Sequence, residues 1–281
     1  MERSPTAASV VVPAHNESAG LRGNLTALLD GVPTGTFDVV VVCNGCTDDT
    51  ATVARSVPGV RVIETESASK ALAVELGNAA TSIFPRIHLD ADVRLPGPDA
   101  LRLVRAVAEA GVHAAGPSRD VPVDSSSWPV RAYYRVWENL PNVRSGLFGR
   151  GAFCLSEEGQ RRVDAQTRLM NDDLMVSEAF APEERRIVSH TSVVVRPPGT
   201  AADLIRRRTR VATGNHQADQ HAARHASTSL SDLIKLGLRQ PSVGLRVPVF
   251  LTITVIARRL ARRAVRAGDY TTWLRDESSR A

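Results

Sequence analysis

The sequence predicts an α/β fold built on a mostly parallel sheet with helices on both faces. Three observations lead there. Apolar, β-branched runs alternate with helix-spaced segments as far as Ala110. The runs are continuous rather than alternating, as strands buried on both faces require. Polar and acidic residues gather just after the runs end, which is where ligands of open parallel sheets bind.

Ser9-Val10-Val11-Val12-Pro13 is a short apolar run that ends in a turn, and Leu21 to Leu29 follows with helical spacing. Phe37 to Cys43 is a second β-branched run, stopped by Asn44-Gly45. Asp48 to Ser56 reads as a helix with Thr47 or Asp48 at its cap. Val60 to Ile63 is a third strand, Lys70 to Ala80 an alanine-rich helix, and Arg86 to Leu89 a fourth strand that runs straight into Asp90. Leu101 to Ala110 is the next helix. From Val112 to Pro198 the pattern is less regular, with a loop expected over Pro122 to Pro129 and a closing strand over Thr191 to Arg196. Beyond Pro197-Pro198 the chain becomes helical and basic.

Composition narrows the function classes. Of 281 residues, 43% are hydrophobic and 23% charged, which suits a globular chain and excludes wholesale disorder. Three cysteines supply no disulfide framework and point to a reducing compartment. Met1 to Ser9 has no apolar signal-peptide core. The longest apolar run, Val247 to Ala257, falls short of the ~20 residues a membrane-spanning helix needs. A cytoplasmic protein is therefore expected. From Ala201 onward there are 15 basic and 6 acidic residues, a net of +9, against −4 for the preceding 200. Such asymmetry points to an anionic surface as partner, although a solvated arginine-rich helix gives the same count.

Asp90-Ala91-Asp92 is the sharpest chemical signal. Two carboxylates one residue apart at a strand end suit a hard cation such as Mg²⁺ or Mn²⁺, with substrate phosphates and water completing its shell. A solvated turn shows the same pattern, so its position after an apolar strand decides between the two. Cys43-Asn44-Gly45-Cys46 has metal or redox spacing but lacks a second ligand pair. His216, His221 and His225 read as surface histidines.

Taken in order, Val11-Val12-Pro13-Ala14-His15-Asn16-Glu17, Asn44 to Thr50, and Asp90-Ala91-Asp92 resemble the inverting family 2 glycosyltransferases. The resemblance reaches to about Asn215. It implies a GT-A-type, Rossmann-like nucleotide-sugar domain and a divalent metal, Mg²⁺ or Mn²⁺. By resemblance, Pro13, Ala14, Asn16 and Glu17 line the donor base and ribose, Asp48 supports the next loop, and Lys70 contacts the donor or loop carboxylates. Asn44 stands where the family usually has aspartate, which leaves the base of the nucleotide open. Asp92 becomes the direct metal ligand and Asp90 its partner. Asn171-Asp172-Asp173-Leu174 matches the segment carrying the catalytic base. Alignment on Leu174 gives Asp173 that role, with Asp172 as the fallback, while helix capping would also place Asn and Asp there. Gly149, Arg150 and Gly151 match the acceptor segment.

Arg210 matches the arginine of the Gln-x-x-Arg-Trp motif of processive members, while the glutamine and tryptophan are missing. It remains suited to the donor diphosphate. A single addition is expected rather than polymer synthesis, onto a glycan, lipid-linked or cell-envelope acceptor. The expected division is a catalytic domain over 1–200 (donor half 1–115, acceptor half 116–200) and a basic helical region over 201–281. In that region Arg258, Arg259, Arg262, Arg263 and Arg266 form one stripe opposite Leu260, Ala261, Ala264 and Val265. This pattern suggests peripheral attachment to the inner membrane face, and no nucleic acid. Two other classes share parts of the pattern: a nucleotidyltransferase, which normally has a glycine-rich phosphate loop, and a non-catalytic glycan- or nucleic-acid-binding module.

Overall fold

A computed structural model describes residues 6–166, 176–220 and 229–266, with side chains omitted over 214–220. The chain forms two compact units. The first holds described residues 6–120, 147–166 and 179–194; the second holds 121–146, 176–178, 195–220 and 229–266.

The first unit is a seven-stranded sheet in the order β3-β2-β1-β4-β6-β5-β7. β1 (Ala8–Ala14), β2 (Phe37–Asn44), β3 (Val60–Thr65) and β4 (Arg86–Leu89) run parallel. Val10 to Val12 and Val39 to Val42 are essentially inaccessible, as their unbroken apolar runs require. Each buried valine contributes about 1.5–3 kcal/mol relative to exposure. The crossovers are α1 (Leu21–Leu29), α2 (Thr50–Arg55) and α3 (Lys70–Ala79). α3 starts where the Ser69 hydroxyl accepts the Leu72 N–H at 3.3 Å. It lies so close to the sheet that a Cβ on Gly77 would meet Val11 Cγ1 at 2.4 Å.

α4 (Gly97–Val107) begins four residues before the expected Leu101. Proline is tolerated in the first turn, where its missing N–H would have no helical partner, so Pro98 opens the helix rather than delaying it.

The stretch expected to be irregular is largely structured. It supplies β5 (Ala114–Asp120), α5 (Trp128–Trp137), α6 (Pro141–Ser145), β6 (Ala152–Leu155), α7 (Glu157–Asp164) and β7 (Arg185–Val194). β5 contains Ala-Ala-Gly-Pro, a weak strand former, and β6 has only four residues. Pairing on both sides rather than propensity makes them strands. β6 runs antiparallel to β4 and β5, and the β5–β7 ladder shifts register between Pro117 and Ser118. β7 starts earlier than the expected Thr191. The loop expected through Pro129 ends sooner, because Trp128 and Pro129 already belong to α5.

The second unit is helical. α8 (Ala201–Gln220), α9 (Leu230–Arg239), α10 (Pro241–Gly244) and α11 (Val247–Arg266) follow one another. Tyr133 of α5, 1% exposed, stacks on Phe250 of α11 with centroids 4.9 Å apart. α11 buries Phe250, Ile253, Ala257 and Ala261. Among the described residues, no helix is long and apolar enough to cross a membrane.

Candidate active site

The parallel strands bring the carboxyl ends of β1, β2 and β4 to one edge. The strand order reverses between β1 and β4, since the chain steps outward to β3 and then returns to the far side of β1. That reversal is where open α/β sheets leave a ligand crevice. Pro13-Ala14-His15, Asn44 and Asp90 stand at this edge. β6 enters beside β4, with Ala152 opposite Leu89, so Gly149 to Gly151 arrive there as well.

The loops after β1 and β2 are tied together. His15 Nδ1 lies 2.5 Å from the Asn44 carbonyl oxygen. Asn16, at φ +54°, accepts the Thr47 N–H at 2.8 Å and donates to the Thr47 hydroxyl at 3.2 Å. The Glu17 N–H donates to Thr50 Oγ1 at 2.8 Å. Asp48 takes the Ser18 N–H on one oxygen (3.2 Å) and the Thr50 N–H on the other (3.0 Å), and also accepts the Thr50 hydroxyl. Burial works against this carboxylate, but the hydrogen bonds from Thr50 and Ser18 outweigh it and hold its pKa at about 2. Asp48 and Asn16 thus brace the loops while standing at the expected donor edge.

Asn44 closes β2 and is buried. The chain leaves it through Gly45, at φ +58°, where a Cβ would meet Ala68 Cα at 2.8 Å. Only glycine fits both that conformation and that approach. Cys43 and Cys46 are free thiols. Burial, with Cys46 close by, pushes Cys43 up to about 12, and Cys46 donates to the Ala14 carbonyl at 3.4 Å. Both facts suit packing between two loops rather than reactive or metal-bound sulfur.

The acidic triplet forms a turn closed by the Val93 N–H on the Asp90 carbonyl at 3.0 Å. Two contacts pin it. The Asp90 N–H donates to the Gly151 carbonyl at 2.8 Å, and Asn24 Nδ2 donates to the Ala91 carbonyl at 2.9 Å. Gly151 sits at φ +63°, where a Cβ would meet Val93 Cγ2 at 2.5 Å and Asp90 Oδ2 at 3.2 Å. Gly151 therefore makes room for the acidic turn. Lys70, the first residue of α3, places Nζ 2.6 Å from Asp90 Oδ1. Asp92 is exposed. Among the described residues, no cluster of three or more His, Cys, Asp or Glu could hold a metal alone. Two carboxylates on a fixed turn still fit Mg²⁺ or Mn²⁺, which commonly take the rest of their shell from phosphate and water.

Arg150 is 2% exposed and donates to the Pro117 carbonyl at 2.8 Å. Burial lowers its pKa to about 9, and the neighbouring Arg119 adds to the effect. Between the positive-φ residues Gly149 and Gly151, Arg150 points inward to the sheet. Arg210 lies on α8, in the second unit. Asp172, Asp173, His221 and His225 lie outside the described residues, as does the His216 side chain. From the sequence, His15, Ser18 and Thr50 had no individual role and Thr47 only that of a helix cap; in the structure all four help tie the two loops together. The Asp48-x-Thr50 spacing, typical of a side chain closing its own turn, was the available signal.

The glycosyl transferase family 2 model matches residues 9–152, just over half of the chain. Comparison with curated proteins gives no match. Among solved structures, the chain is similar to the mannosyltransferase PcManGT from Pyrobaculum calidifontis in complex with GDP-Man and Mn²⁺. That likeness has a TM-score of 0.62 at 22% identity and covers 96% of this chain and 84% of that one. A second likeness is to residues 1–349 of TarS from S. aureus in complex with UDP, with a TM-score of 0.51 at 14% identity, covering 94% and 92%. At these identities the two structures bear on the fold alone, and their fold is the mostly parallel sheet described above.

Proposed function

Because the chain belongs to glycosyl transferase family 2, we propose that it moves one sugar from a nucleoside diphosphate sugar to an acceptor hydroxyl, with inversion. The observation that carries the reading is the Asp90-Ala91-Asp92 turn, fixed by Gly151 and faced by Lys70 at the β1/β4 reversal. Neither a nucleotidyltransferase nor a binding module explains the family match.

In this reading Asp92, with Asp90, would hold Mg²⁺ or Mn²⁺, which when bound would supply positive charge to the departing diphosphate. The GDP-Man and Mn²⁺ of the Pyrobaculum enzyme support a donor and ion of this class. Glu17 and the residues from Pro13 to Asn16 receive the nucleoside, whose base Asn44 leaves open between uracil and guanine. Lys70 balances the carboxylate charge until phosphate arrives. Asp173 removes the proton from the acceptor hydroxyl as it attacks. The missing Gln and Trp of the processive motif favour a single addition. We take the acceptor to be a lipid-linked or cell-envelope glycan at the cytoplasmic face of the membrane.

The test is nucleotide-sugar turnover with Mn²⁺ or Mg²⁺ across uridine and guanosine donors. Asp92→Asn should lose metal-dependent donor binding. Asp173→Asn should bind donor normally and transfer nothing. The proposal fails if no nucleoside diphosphate binds in the presence of metal. If Asp173→Asn loses donor binding, the assignment of roles is wrong.

A further inference from the structure

The second unit carries an apolar ridge that nothing in the donor chemistry uses. Leu230 is 72% exposed, Ile234 62% and Leu238 79%. Their four-residue spacing puts them on one stripe of α9, while Leu233 and Leu236 fill the buried side. Leu245, directly after α10, is 84% exposed. A Cβ on Gly244 would meet Gly237 Cα at 2.9 Å, so this glycine pair lets the two helices approach closely. An open apolar groove of about 260 Å³ follows the ridge, with Leu230, Ile234, Val247 and Leu251 in its walls. Val255 and Ile256 continue the apolar surface along α11.

Charge identifies the occupant. Residues 229–266 hold eight Lys and Arg and a single acid, Asp232, a net of +7. The Asp232 carboxylate is turned to its own helix start, accepting the Ser229 N–H at 3.0 Å. Lys235 and Arg239 border the ridge on α9, and Arg258, Arg259, Arg262 and Arg263 are exposed along α11. Leu260, on the other side of α11 from that stripe, is 39% exposed. Apolar side chains rimmed by arginines match a bilayer surface, with acyl boundary inside and headgroup phosphates outside. A second copy presenting the same face would set +7 against +7.

We infer that the α9–α11 face docks on an anionic lipid bilayer, with Leu230, Ile234, Leu238 and Leu245 entering the acyl boundary. The basic stripe of α11 is the rim of this surface, and the leucines are its anchor. The inference gives a surface to the membrane attachment proposed above and is independent of the donor chemistry.

The test is co-sedimentation of the full chain with vesicles of phosphatidylcholine, with and without phosphatidylglycerol. Binding should need phosphatidylglycerol. Leu238→Asp combined with Leu245→Asp should weaken it at least ten-fold with an unchanged thermal midpoint, since both side chains already face solvent. Arg258→Gln and Arg259→Gln should each weaken it about five-fold. Three results overturn the inference: no vesicle binding, binding indifferent to the leucine changes, or a dimer that those changes dissociate in a protein that ignores vesicles. Metal-dependent nucleotide binding is measured on the same samples. If it survives while vesicle binding fails, the docking inference falls and the transferase reading stands; the reverse result strikes only the transferase reading.

Discussion

Replacing Gly151 with alanine adds one methyl group at the point where the acidic turn is pinned. Two costs follow. At φ +63° an L side chain is disfavoured by ~1–2 kcal/mol. The new Cβ also falls 2.5 Å from Val93 Cγ2 and 3.2 Å from Asp90 Oδ2, and overpacking of this kind costs ~1–3 kcal/mol. Together these give a destabilisation of about 2–5 kcal/mol. Gly59→Ala is the control, because Gly59 sits at φ +84° with nothing within 4 Å of its Cβ. That change should show the conformational cost alone, ~1–2 kcal/mol. Urea unfolding of both variants isolates the crowding. Crowding that pushes Asp90 aside should also weaken Mn²⁺-dependent binding of a nucleoside diphosphate about ten-fold, or ~1.4 kcal/mol, in calorimetry. If Gly151→Ala unfolds no more easily than Gly59→Ala and binds nucleotide normally, Gly151 does not set the acidic turn.

Three further outcomes follow from the structure. His88, buried against Gln160 (2.9 Å) and stacked on Phe153, is held by desolvation at about 4, below its ordinary 6.5. Its neutral form favours folding above pH 6.5, and that stability, on the order of 3 kcal/mol, is lost as pH falls from 6.5 to 4; histidine NMR should find its ring neutral at pH 5. Asp48, lowered from 3.8 to about 2, contributes stability above pH 3.8 that disappears as pH falls towards 2. Wild type should therefore exceed Asp48→Asn in unfolding free energy at pH 6, with the gap closing below pH 3, whereas a pH-independent gap would show that the charge is irrelevant. Lys70→Ala frees Asp90 from its ammonium partner. Binding of Mn²⁺ alone, followed by electron paramagnetic resonance, should tighten about five-fold, the equivalent of the ~1 kcal/mol an exposed pair contributes.

Local pattern carried much of the fold and part of the site. Valine runs such as Val39 to Val42 are legible because burial on both faces demands a continuous apolar string. Asp90 and Asp92 are legible because the strand before them ends there. β5 and β6 were not, since Ala114-Ala115-Gly116-Pro117 has little intrinsic strand preference and β6 is only four residues long. They are strands because their neighbours supply hydrogen-bond partners.

By itself, then, the sequence determined the parallel sheet, the edge where its polar residues gather and the acidic turn at that edge. Those are consequences of periodicity and of which residue follows which. Tertiary structure decided what the edge residues touch. It turned Asn16 and Asp48 into braces between two loops, set Lys70 against Asp90, and gave Gly151 the task of clearing space for the turn. It also left Leu230, Ile234 and Leu238 of α9 facing solvent while it buried Ala261 of α11. Each of these depends on groups far apart in the chain or on which helix face a neighbour covers, and no local spacing encodes that.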